Sequence, residues 1–573
     1  MKMYMSISPL KRFFNMLKVD RQEILSIYVY ALFNGVLTLS LPLGIQAIIS
    51  LITGGQVSTS WIVLVIFVIV GVALSGVMQI IQLTISENLQ QKIFTRSAFE
   101  FAYRIPRMKL EAVDKLHIPE LVNRFFDTLS VQKGLSKILI DFSSASLQVV
   151  FGLILLSLYH PFFILFSLVL VLAVYLIFRL TSPIGLRTSL EESKRKYEVA
   201  HWLEELARTM ETFKLAGTSS LPLSKTDDAV EEYLISRKAH FKSLLMQYIS
   251  LVGFKVIIAA GLLLIGGLLV INQQMNIGQF VASEIIIILV LSSVEKLILS
   301  METIYDVLTA IEKIGTVTDI PLERDSGTNS SVITEAGIQV NIKDLTYRFP
   351  ENNQDTLKNI RLKIEAGEKV CLTGFNGSGK SLLLQIIAGL FQDFSGSLSY
   401  NGIPMGNWRI EDLRSMIGEN LSKEDVFKGT LEENISLKKP NITLEQVQRS
   451  VAIVGLTSFV EALAEGYNTL LIPAGKNLPK SIRLKIMLAR CIVGEPKLIL
   501  LGDNFNQLNY TDKQSLLNHL LEEKFTVLAI SNDLEVINKF DKVAVLNEGN
   551  LIAFDSPKSI KDTNWYSILF KTK

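Results

Sequence analysis

The chain has 573 residues, of which 49% are hydrophobic and 20% are charged, and its formal net charge is +2. This length exceeds that of one ordinary domain, and a charge so close to balance does not suggest a nucleic-acid partner. The two cysteines, Cys371 and Cys491, have neither CxxC nor metal-ligand spacing, so we expect two buried thiols.

Apolar stretches of membrane-spanning length, on the order of 20 residues each, are concentrated in the first part of the chain. They predict six transmembrane helices, at residues 24–52, 61–85, 138–159, 162–180, 248–271 and 277–301. Four charged residues interrupt the third and sixth stretches: Asp141, Glu284, Glu295 and Lys296. They fit either a polar lining of a pathway or helices that extend beyond the bilayer or face their neighbours. For Glu295 and Lys296 we favour the second interpretation, with the two side chains paired locally.

The connections between the predicted spans differ in charge. Three short ones, at 53–60, around 160–161 and at 272–276, contain no Lys or Arg. The two long connections and the N-terminal segment are rich in both. Because Lys and Arg are retained on the cytoplasmic side, we expect a multi-pass protein of the inner (cytoplasmic) membrane, with both termini in the cytoplasm.

The long connections also contain apolar residues at helical spacing, as at Leu203, Leu206, Met210 and Phe213. This pattern predicts helices that continue the membrane spans into the cytoplasm. Charged residues up to Glu23 precede a first span that is too long for a signal peptide, so we expect no cleavable signal.

Residues 318–337 contain Pro321, Gly327 and several polar turn residues, which predicts a linker between a domain at 1–317 and another at 338–573. In the second domain, short β-rich runs alternate with helical patterns; examples of the runs are 369–373, 498–501, 526–531 and 542–546. Such alternation is typical of an α/β domain with a largely parallel sheet.

Residues 374–381 read G-x-x-x-x-G-K-S, a complete phosphate loop, between a predicted buried strand and a predicted helix. The glycines let backbone N–H groups turn toward an anion, and the N-terminus of the helix also favours negative charge. We expect Lys380 to reach the β- and γ-phosphates of ATP and the Ser381 hydroxyl to ligate Mg²⁺. The residues predicted to bind the phosphates are Gly374, Phe375, Asn376, Gly377, Ser378, Gly379, Lys380 and Ser381. An unliganded glycine-rich turn is disfavoured by the strand before the loop and the helix after it.

Six spans, two long intracellular excursions and a C-terminal phosphate-loop domain resemble one half of an ABC exporter over nearly the whole chain. Residues 41–48 and 277–282 are similar to the toxin, bacteriocin and type I secretion exporters, without their N-terminal peptidase-like domain. The resemblance implies a membrane α-helical bundle of the domain-swapped exporter type, followed by an α/β P-loop nucleotide-binding domain. It also implies ATP and Mg²⁺, export of a peptide, protein or other amphipathic substrate, and a second ABC half in a homo- or heterodimer. A membrane-fusion protein is a further partner that it suggests.

Further segments match this family. Residues 347–350 resemble the segment whose aromatic ring stacks on adenine, which gives that role to Phe349; an ordinary strand aromatic is the alternative. Residues 427–435, 486–490 and 496–501 resemble the stretch after the glutamine loop, the helix after the signature and the second nucleotide strand. The stretch near 116–128, with Phe125, Phe126 and Asp127, resembles the coupling segment. We expect it and 203–213 to dock on nucleotide-binding domains.

These matching segments also show at which positions this chain replaces chemical groups of the family. Gly502 and Asp503 stand where the family has the Asp that helps to hold Mg²⁺ and the Glu that polarises the attacking water. Asp503 is one methylene shorter than Glu, and it can serve the water or the metal but not both. The other replacements are Leu478-Pro479-Lys480-Ser481-Ile482 for the signature LSGGQ, Asn532 for the switch His, Ser422 for the loop Gln, and Asn509 for the Asp of the inter-subunit loop.

Removing one positioned acid–base group typically lowers a rate by roughly 10²–10⁴, and losses within one catalytic unit are not additive. We therefore expect ATP binding with weak or partner-dependent hydrolysis, and Asp503 is the one candidate catalytic residue. None of the histidines stands at the switch position: His117, His160, His201, His240 and His519. The leading hypothesis is a catalytically degenerate exporter half beside a competent subunit. The alternatives are a non-transporting ATP-binding assembly or regulatory protein, and a conventional homodimeric ATP-driven exporter.

Overall fold

The computed structural model describes residues 8–53, 59–114, 118–327, 337–350, 352–421 and 426–561. These residues belong to two compact units. The first unit comprises Met1–Pro106 and Lys115–Ile320, and the second comprises Arg107–Asp114 and Pro321–Lys573. The second unit thus combines the C-terminal part of the chain with a short segment that is more than 200 residues distant in sequence.

The regular secondary structure of the first unit is all helical within its described residues. Its helices are α1 (Pro9–Val19), α2 (Arg21–Thr38), α3 (Ser40–Thr53), α4 (Thr59–Arg104), α6 (Ile118–Asn123), α7 (Asp127–Lys137), α8 (Ser143–Tyr159), α9 (Phe162–Arg208), α10 (Met210–Leu215), α11 (Leu221–Gly261), α12 (Gly267–Ile271) and α13 (Ile277–Thr318). One further helix, α5 (Leu110–Val113), belongs to the second unit. Two π-helical stretches, Ile138–Phe142 and Leu262–Gly266, precede α8 and α12.

Six helical stretches are long and apolar enough to cross a membrane, as the sequence predicts. They are Arg21–Ile52, Thr59–Arg107, Ile118–Tyr159, Phe162–Arg208, Leu221–Ile271 and Ile277–Thr318. All six exceed the roughly 20 residues that a bilayer requires, and the four beside the two long connections continue as the predicted helical extensions. The last begins at a capping box, in which the Asn276 side chain accepts from Gln279 N at 2.7 Å and the Gln279 side chain accepts from Asn276 N at 3.0 Å.

The partner of Glu295 differs from the expected one. The Glu295 carboxylate lies 2.6 Å from Lys255 Nζ, which joins α13 to α11, instead of pairing with its neighbour Lys296. Adjacent residues on a helix point in different directions, whereas a residue on a packed neighbouring helix can lie directly opposite. This interhelical ion pair satisfies two charges within the predicted spans.

The expected coupling motif at Phe125 packs inside the first unit. The Phe125 ring makes edge-to-face contacts with Phe94 and Phe101, at 5.5 and 5.6 Å between ring centroids. Asp127 accepts a hydrogen bond of 2.5 Å from the Tyr197 hydroxyl. These contacts connect the start of α7 to α4 and α9, so this motif has a packing role within the unit.

The second unit contains twelve strands among its described residues: β1 (Val340–Tyr347), β2 (Leu357–Ile364), β3 (Lys369–Gly374), β4 (Ser395–Tyr400), β5 (Ile403–Pro404), β6 (Ile417–Glu419), β7 (Gly429–Thr430), β8 (Leu470–Leu471), β9 (Leu498–Leu501), β10 (Thr526–Ile530), β11 (Lys542–Asn547) and β12 (Asn550–Asp555). Its remaining helices are α14 (Lys380–Ile387), α15 (Ile410–Ser415), α16 (Leu431–Ser436), α17 (Leu444–Ile453), α18 (Thr457–Glu461), α19 (Lys480–Ile492), α20 (Tyr510–Glu522), α21 (Leu534–Ile537) and α22 (Pro557–Lys561).

The central sheet has the strand order β12-β11-β3-β10-β9-β6, and β11, β3, β10, β9 and β6 run parallel. The predicted parallel sheet and its four example strands are therefore confirmed within one or two residues. A second sheet, β2-β1-β4-β5, is antiparallel and was not predicted. Since the strands β3, β10 and β9 are adjacent, the loops after them open at one edge of the sheet.

The segment Arg107–Asp114 packs on the C-terminal part of the second unit, at Gln392 and Asp393, and it precedes the expected docking stretch at 116–128 in the sequence. The Glu111 carboxylate accepts from the backbone N–H of Gln392 at 2.5 Å and of Asp393 at 3.2 Å. Lys109 Nζ lies 3.2 Å from the Asp393 carboxylate. This segment is thus fixed by both backbone and charge contacts.

The predicted linker is only partly described, because residues 328–336 lie outside the described ranges. Its first residue, Thr318, ends α13. Farther along, Glu323 forms two hydrogen bonds with Arg414, of 2.6 and 2.7 Å, within the second unit. The beginning of this stretch is therefore structured by its neighbours.

Candidate nucleotide-binding site

The phosphate loop connects β3 to α14, as predicted. Two of its glycines are required by geometry. A Cβ on Gly374 would lie 2.0 Å from the backbone oxygen of Leu546 on β11, and Gly379 has a φ of +96°. Of the residues between them, Phe375, Asn376 and Gly377 are exposed and Ser378 is buried. The backbone is therefore curled into the conformation in which its N–H groups can surround an anion.

Lys380 lies inside this loop. Its Nζ donates to the carbonyl oxygens of Gly374 at 2.8 Å and Phe375 at 2.7 Å, and to Ser378 Oγ at 3.3 Å. Burial lowers the pKa of the Lys380 ammonium, and the nearby Asp503 carboxylate opposes that shift. A partly desolvated cation held by neutral oxygens is suited to binding a phosphate, because an anion compensates the desolvation.

A cavity of about 390 Å³ adjoins the loop and is entirely lined by the second unit. Its lining includes Ser381, Gln385, Asn420, Lys480 and Asp503. The hydroxyl, carboxylate and amide groups supply oxygen ligands of the type that Mg²⁺ prefers. No cluster of three or more His, Cys, Asp or Glu side chains able to hold a metal occurs in the described ranges. The residues fit a magnesium ion that is held largely by phosphates and water, as is usual for Mg²⁺.

Phe349, the candidate adenine-stacking residue, is half-buried. Its ring makes edge-to-face contacts with Tyr347 at 5.2 Å and Phe391 at 5.9 Å between centroids. These contacts orient the ring, so Phe349 is an aromatic fixed at the edge of the core.

Gly502 and Asp503 follow β9 at the same sheet edge. Asp503 begins a 3₁₀ turn, Asp503–Gln507, and is exposed. Gly502 has ordinary backbone angles, with φ −65° and ψ 172°. A Cβ added there would lie 3.5 Å from the nearest heavy atom, which is ordinary van der Waals contact. Neither space nor backbone conformation therefore requires glycine at this position.

Asn532, at the switch position, contacts the base of the phosphate loop. Its Oδ1 accepts from Thr373 Oγ1 at 2.8 Å and from Gly374 N at 3.4 Å. An amide has no titratable nitrogen comparable with that of imidazole, so Asn532 can orient the loop but cannot exchange a proton near neutral pH.

The segment that replaces the signature begins α19. Pro479 is the N-cap residue, and its carbonyl oxygen accepts from Ile482 N at 3.0 Å and Arg483 N at 3.1 Å. The N–H of Ile482 is therefore used within the helix. Lys480, in the first turn, lines the cavity next to Ser381.

Of the other residues that replace family groups, Asn509 does not line the cavity, and neither do the described histidines. Asn509 is the N-cap of α20, and its side chain accepts from Asp512 N at 2.8 Å, which is an ordinary capping function. Ser422 and His117 lie outside the described residues. Among the described histidines, His519 packs against Phe525 with 5.7 Å between ring centroids, and burial lowers its pKa. His160, His201 and His240 belong to the first unit.

Among the polar cavity residues that the sequence did not identify are Gln385 and Asn420, and Lys480 was named only as part of the segment that replaces the signature. Gln385 could have been found, because it stands four residues after Ser381 on one helix and so shares its face. Asn420 reaches the cavity from an element that is distant in sequence, and no local pattern identifies it.

Two family models match the chain in tandem. The ABC transporter transmembrane region matches residues 24–294, and the ABC transporter model matches residues 357–506. A solved bacterial Atm1-family ABC exporter with ATP bound superimposes with a TM-score of 0.82, at 16% identity, over 96% of this chain and 98% of that chain. At this low identity, the similarity shows a shared fold.

Curated relatives include a leukotoxin export ATP-binding protein, LtxB, of Aggregatibacter actinomycetemcomitans, which is 25% identical over 380 residues. That alignment covers 65% of this chain and 52% of LtxB. The alpha-hemolysin translocation ATP-binding protein HlyB of Escherichia coli O157:H7 is 24% identical over 396 residues, 68% of this chain and 56% of HlyB. The chain thus spans about half the length of these relatives. With its transmembrane region fused to a nucleotide-binding domain, it is a half-transporter of the ABC exporter family.

Proposed function

We propose that this protein is an ATP-binding but catalytically degenerate exporter half that works as a dimer with a second ABC half. The observation that carries the proposal is the contrast between the loops that follow β3, β9 and β10 at one edge of the sheet. The phosphate loop is complete, and Lys380 is in place, whereas the positions around Asp503 carry Gly502 and Asn532.

The residues of the loop account for binding. The backbone between Gly374 and Gly379 surrounds the phosphates, Lys380 exchanges its carbonyl contacts for phosphate oxygens, and Phe349 offers a ring face to the base. Ser381 would ligate Mg²⁺, which neutralises phosphate charge when it is bound.

Hydrolysis requires a polarised water, a held metal and a clamped terminal phosphate in one closed site. Asp503 is exposed and stands alone after β9, since Gly502 contributes no side chain. Asn532 contributes no proton transfer. In the segment Pro479–Ile482, Pro479 has no N–H group and stands where the family has Ser, and the apolar Ile482 side chain cannot replace the amide of the Gln, so the clamp for a partner subunit's nucleotide is incomplete.

We extend the proposal to the domain boundaries, the membrane, the substrate and a further partner. The domains are 1–317, the linker 318–337 and 338–573, in an inner membrane with both termini in the cytoplasm. The relatives named for leukotoxin export and alpha-hemolysin translocation support a peptide, protein or other amphipathic substrate. A membrane-fusion protein would be a further partner.

The test is the ATPase rate of the purified full-length protein, with Asp503→Asn as the variant. We expect slow turnover and less than a threefold change in Asp503→Asn, because the carboxylate lacks the other groups of the unit. An ordinary transporter rate that collapses in Asp503→Asn would replace this proposal with a conventional homodimeric exporter. Isolation of the tagged protein from its native membrane should also recover a second ABC half.

A further inference from the structure

Asn420 is a buried polar residue whose amide NH₂ group makes no hydrogen bond within the described residues. It follows β6 and is 1% exposed. Its Oδ1 accepts a hydrogen bond of 2.6 Å from Gly502 N. Its Nδ2 has no hydrogen-bond partner among the described residues. Burying an amide donor without a partner is unfavourable, so this group is suited to a ligand that supplies an acceptor.

The orientation of this amide follows from its partner. Because Gly502 N–H is a donor, the atom that faces it must be the oxygen, and the NH₂ group is thereby the free end. Asn420 lines the cavity that also contains Ser381, Lys480 and Asp503. The unpaired NH₂ group is therefore buried beside the cavity, where the phosphate loop meets the turn after β9.

The charges of the cavity favour a phosphate group. Lys480 contributes an ammonium that makes no ion pair within the part of the chain that the structure describes, and Lys380 lies close enough to influence Asp503. Lys380 does not line the cavity itself, and the described lining has one carboxylate, that of Asp503. An oxyanion in the cavity would accept from the Asn420 amide and pair with the Lys480 ammonium.

The position of the cavity favours the terminal phosphate of ATP over its other phosphates. It begins at Ser381 and Gln385 on α14 and extends to Asp503, whereas Phe349 does not contribute to it. It thus lies on the metal side of the phosphate loop and away from the expected base. We therefore expect the γ-phosphate of ATP to reach this space and the β-phosphate of ADP to end before it.

We propose that Asn420 donates from Nδ2 to the terminal phosphate of bound ATP, with Lys480 as a second contact, so that this cavity distinguishes ATP from ADP. The inference rests on the proposed ATP binding. It gives Asn420 two roles, since the same side chain fixes the turn at Gly502 and contacts the nucleotide. It also explains how a site without the usual switch residue can recognise a triphosphate.

The experiment compares the affinities of the purified full-length protein for ATPγS and for ADP in EDTA. Asn420→Asp keeps an oxygen for Gly502 N–H and replaces the donor by a second carboxylate oxygen. We expect the preference for ATPγS over ADP to fall by at least about tenfold, with ADP affinity within about threefold of the parent, because a charged repulsion replaces a charge-assisted hydrogen bond.

Asn401→Asp is the matched control. Asn401 Oδ1 likewise accepts from a backbone N–H, that of Gln339 at 2.8 Å, and it lies outside the cavity. We expect no change in its nucleotide preference. The exposed Lys480→Gln provides a second variant that should fold normally, and its preference for ATPγS should fall about threefold or more.

An unchanged preference in both Asn420→Asp and Lys480→Gln would overturn the inference while leaving ATP binding intact. An equal fall in the affinities of Asn420→Asp for ATPγS and for ADP, together with an unchanged preference in Lys480→Gln, would also overturn it. Asn420 would then have a purely structural role. If the parent protein bound neither ATPγS nor ADP, the proposed function itself would fail.

Discussion

Lys380 shows how a single side chain is prepared for a ligand before the ligand arrives. Its ammonium is partly desolvated and is held by two carbonyl oxygens and a hydroxyl of its own loop. Neutral oxygens compensate a buried cation less well than an anion does. The loop is therefore poised to exchange these contacts for phosphate.

Replacing Lys380 should weaken nucleotide binding selectively. Because hydrogen bonds to a charged group contribute about 1.5–3 kcal/mol, we expect Lys380→Ala to lower ATP affinity by at least about tenfold. Lys343→Ala, at an exposed position on β1, is the control and should bind as the parent does. A direct titration that gives equal affinities for Lys380→Ala and the parent would contradict the assigned role.

Gly502 permits a test in which family residues are restored instead of removed, since the structure leaves room for a side chain there. The triple variant Gly502→Asp, Asp503→Glu and Asn532→His restores the groups of the turn and the switch. We expect its ATPase rate to stay within about threefold of the parent, because the signature segment still cannot clamp the terminal phosphate.

Adding Pro479→Ser, Lys480→Gly, Ser481→Gly and Ile482→Gln should then raise phosphate release by about 10²-fold or more. If the triple variant alone reached this rate, the segment Pro479–Ile482 at the start of α19 would not limit hydrolysis, and that part of the proposal would be wrong.

At the scale of elements, the short segment Arg107–Asp114 connects distant parts of the chain. Glu111 supplies an acceptor to two backbone N–H groups at Gln392 and Asp393, and Lys109 adds an ion pair. Backbone donors next to a turn have few alternative partners. The carboxylate therefore determines how firmly the segment is held.

Removing this acceptor should be visible locally. In Glu111→Ala, we expect faster amide hydrogen exchange in a peptide covering residues 390–394, since two N–H groups lose their partner. Glu111→Gln keeps an acceptor oxygen and should retain most of the protection. Identical exchange in the parent and Glu111→Ala would show that these hydrogen bonds do not hold the segment.

The helix α1 is attached to the end of α13 by charge. Arg12 Nη1 donates to Asp319 at 2.8 Å, and its Nε lies 3.4 Å from Glu312. The hydrogen bond from Arg12 lowers the pKa of the Asp319 carboxyl. The ionised carboxylate is therefore favoured in the folded state.

This attachment predicts a pH dependence of stability. A carboxyl with a lowered folded-state pKa stabilises the protein above its unfolded pKa, near 4, and this contribution is lost as pH falls through the folded value. The parent should melt at a higher temperature than Asp319→Asn at pH 7, by an amount worth about 1 kcal/mol or less because Asp319 is partly exposed. The two melting temperatures should converge below about pH 4.

Asp325→Asn serves as the control, because Asp325 is 70% exposed in its pair with Arg409. Its melting temperature should match that of the parent at each pH. A difference between Asp319→Asn and the parent that persisted undiminished at low pH would contradict the electrostatic origin of the effect.

At the scale of the whole molecule, the charge asymmetry of the connections predicts an orientation in the membrane. The turn at Gln274 and the connection at Ser219, which we propose to be cytoplasmic, are both exposed. The native thiols, Cys371 and Cys491, are buried and have raised pKa values because of that burial. They should give little background in a thiol-labelling experiment.

A membrane-impermeant maleimide should therefore report the orientation. We expect Gln274→Cys to be labelled in intact cells and Ser219→Cys to be labelled only after the membrane is permeabilised. The reverse pattern would invert the proposed topology, and labelling of both in intact cells would contradict the six-span arrangement.

The sequence by itself determined the features that depend on local pattern. Six apolar stretches predicted the six spans, and the loop ending in Lys380 and Ser381 predicted a strand, a turn and a helix, all of which the structure contains. Periodicity, glycine positions and charge bias act over one or two elements, so they can be recognised without knowing what packs against what.

The tertiary structure decided which distant groups meet. It paired Glu295 with Lys255, held the segment Arg107–Asp114 against Gln392 and Asp393, and brought the amide of Asn420 to the turn at Gly502. Each of these contacts joins residues at least 40 positions apart. Such partners depend on the packing of whole helices and the order of strands in a sheet, which no local pattern of residues specifies.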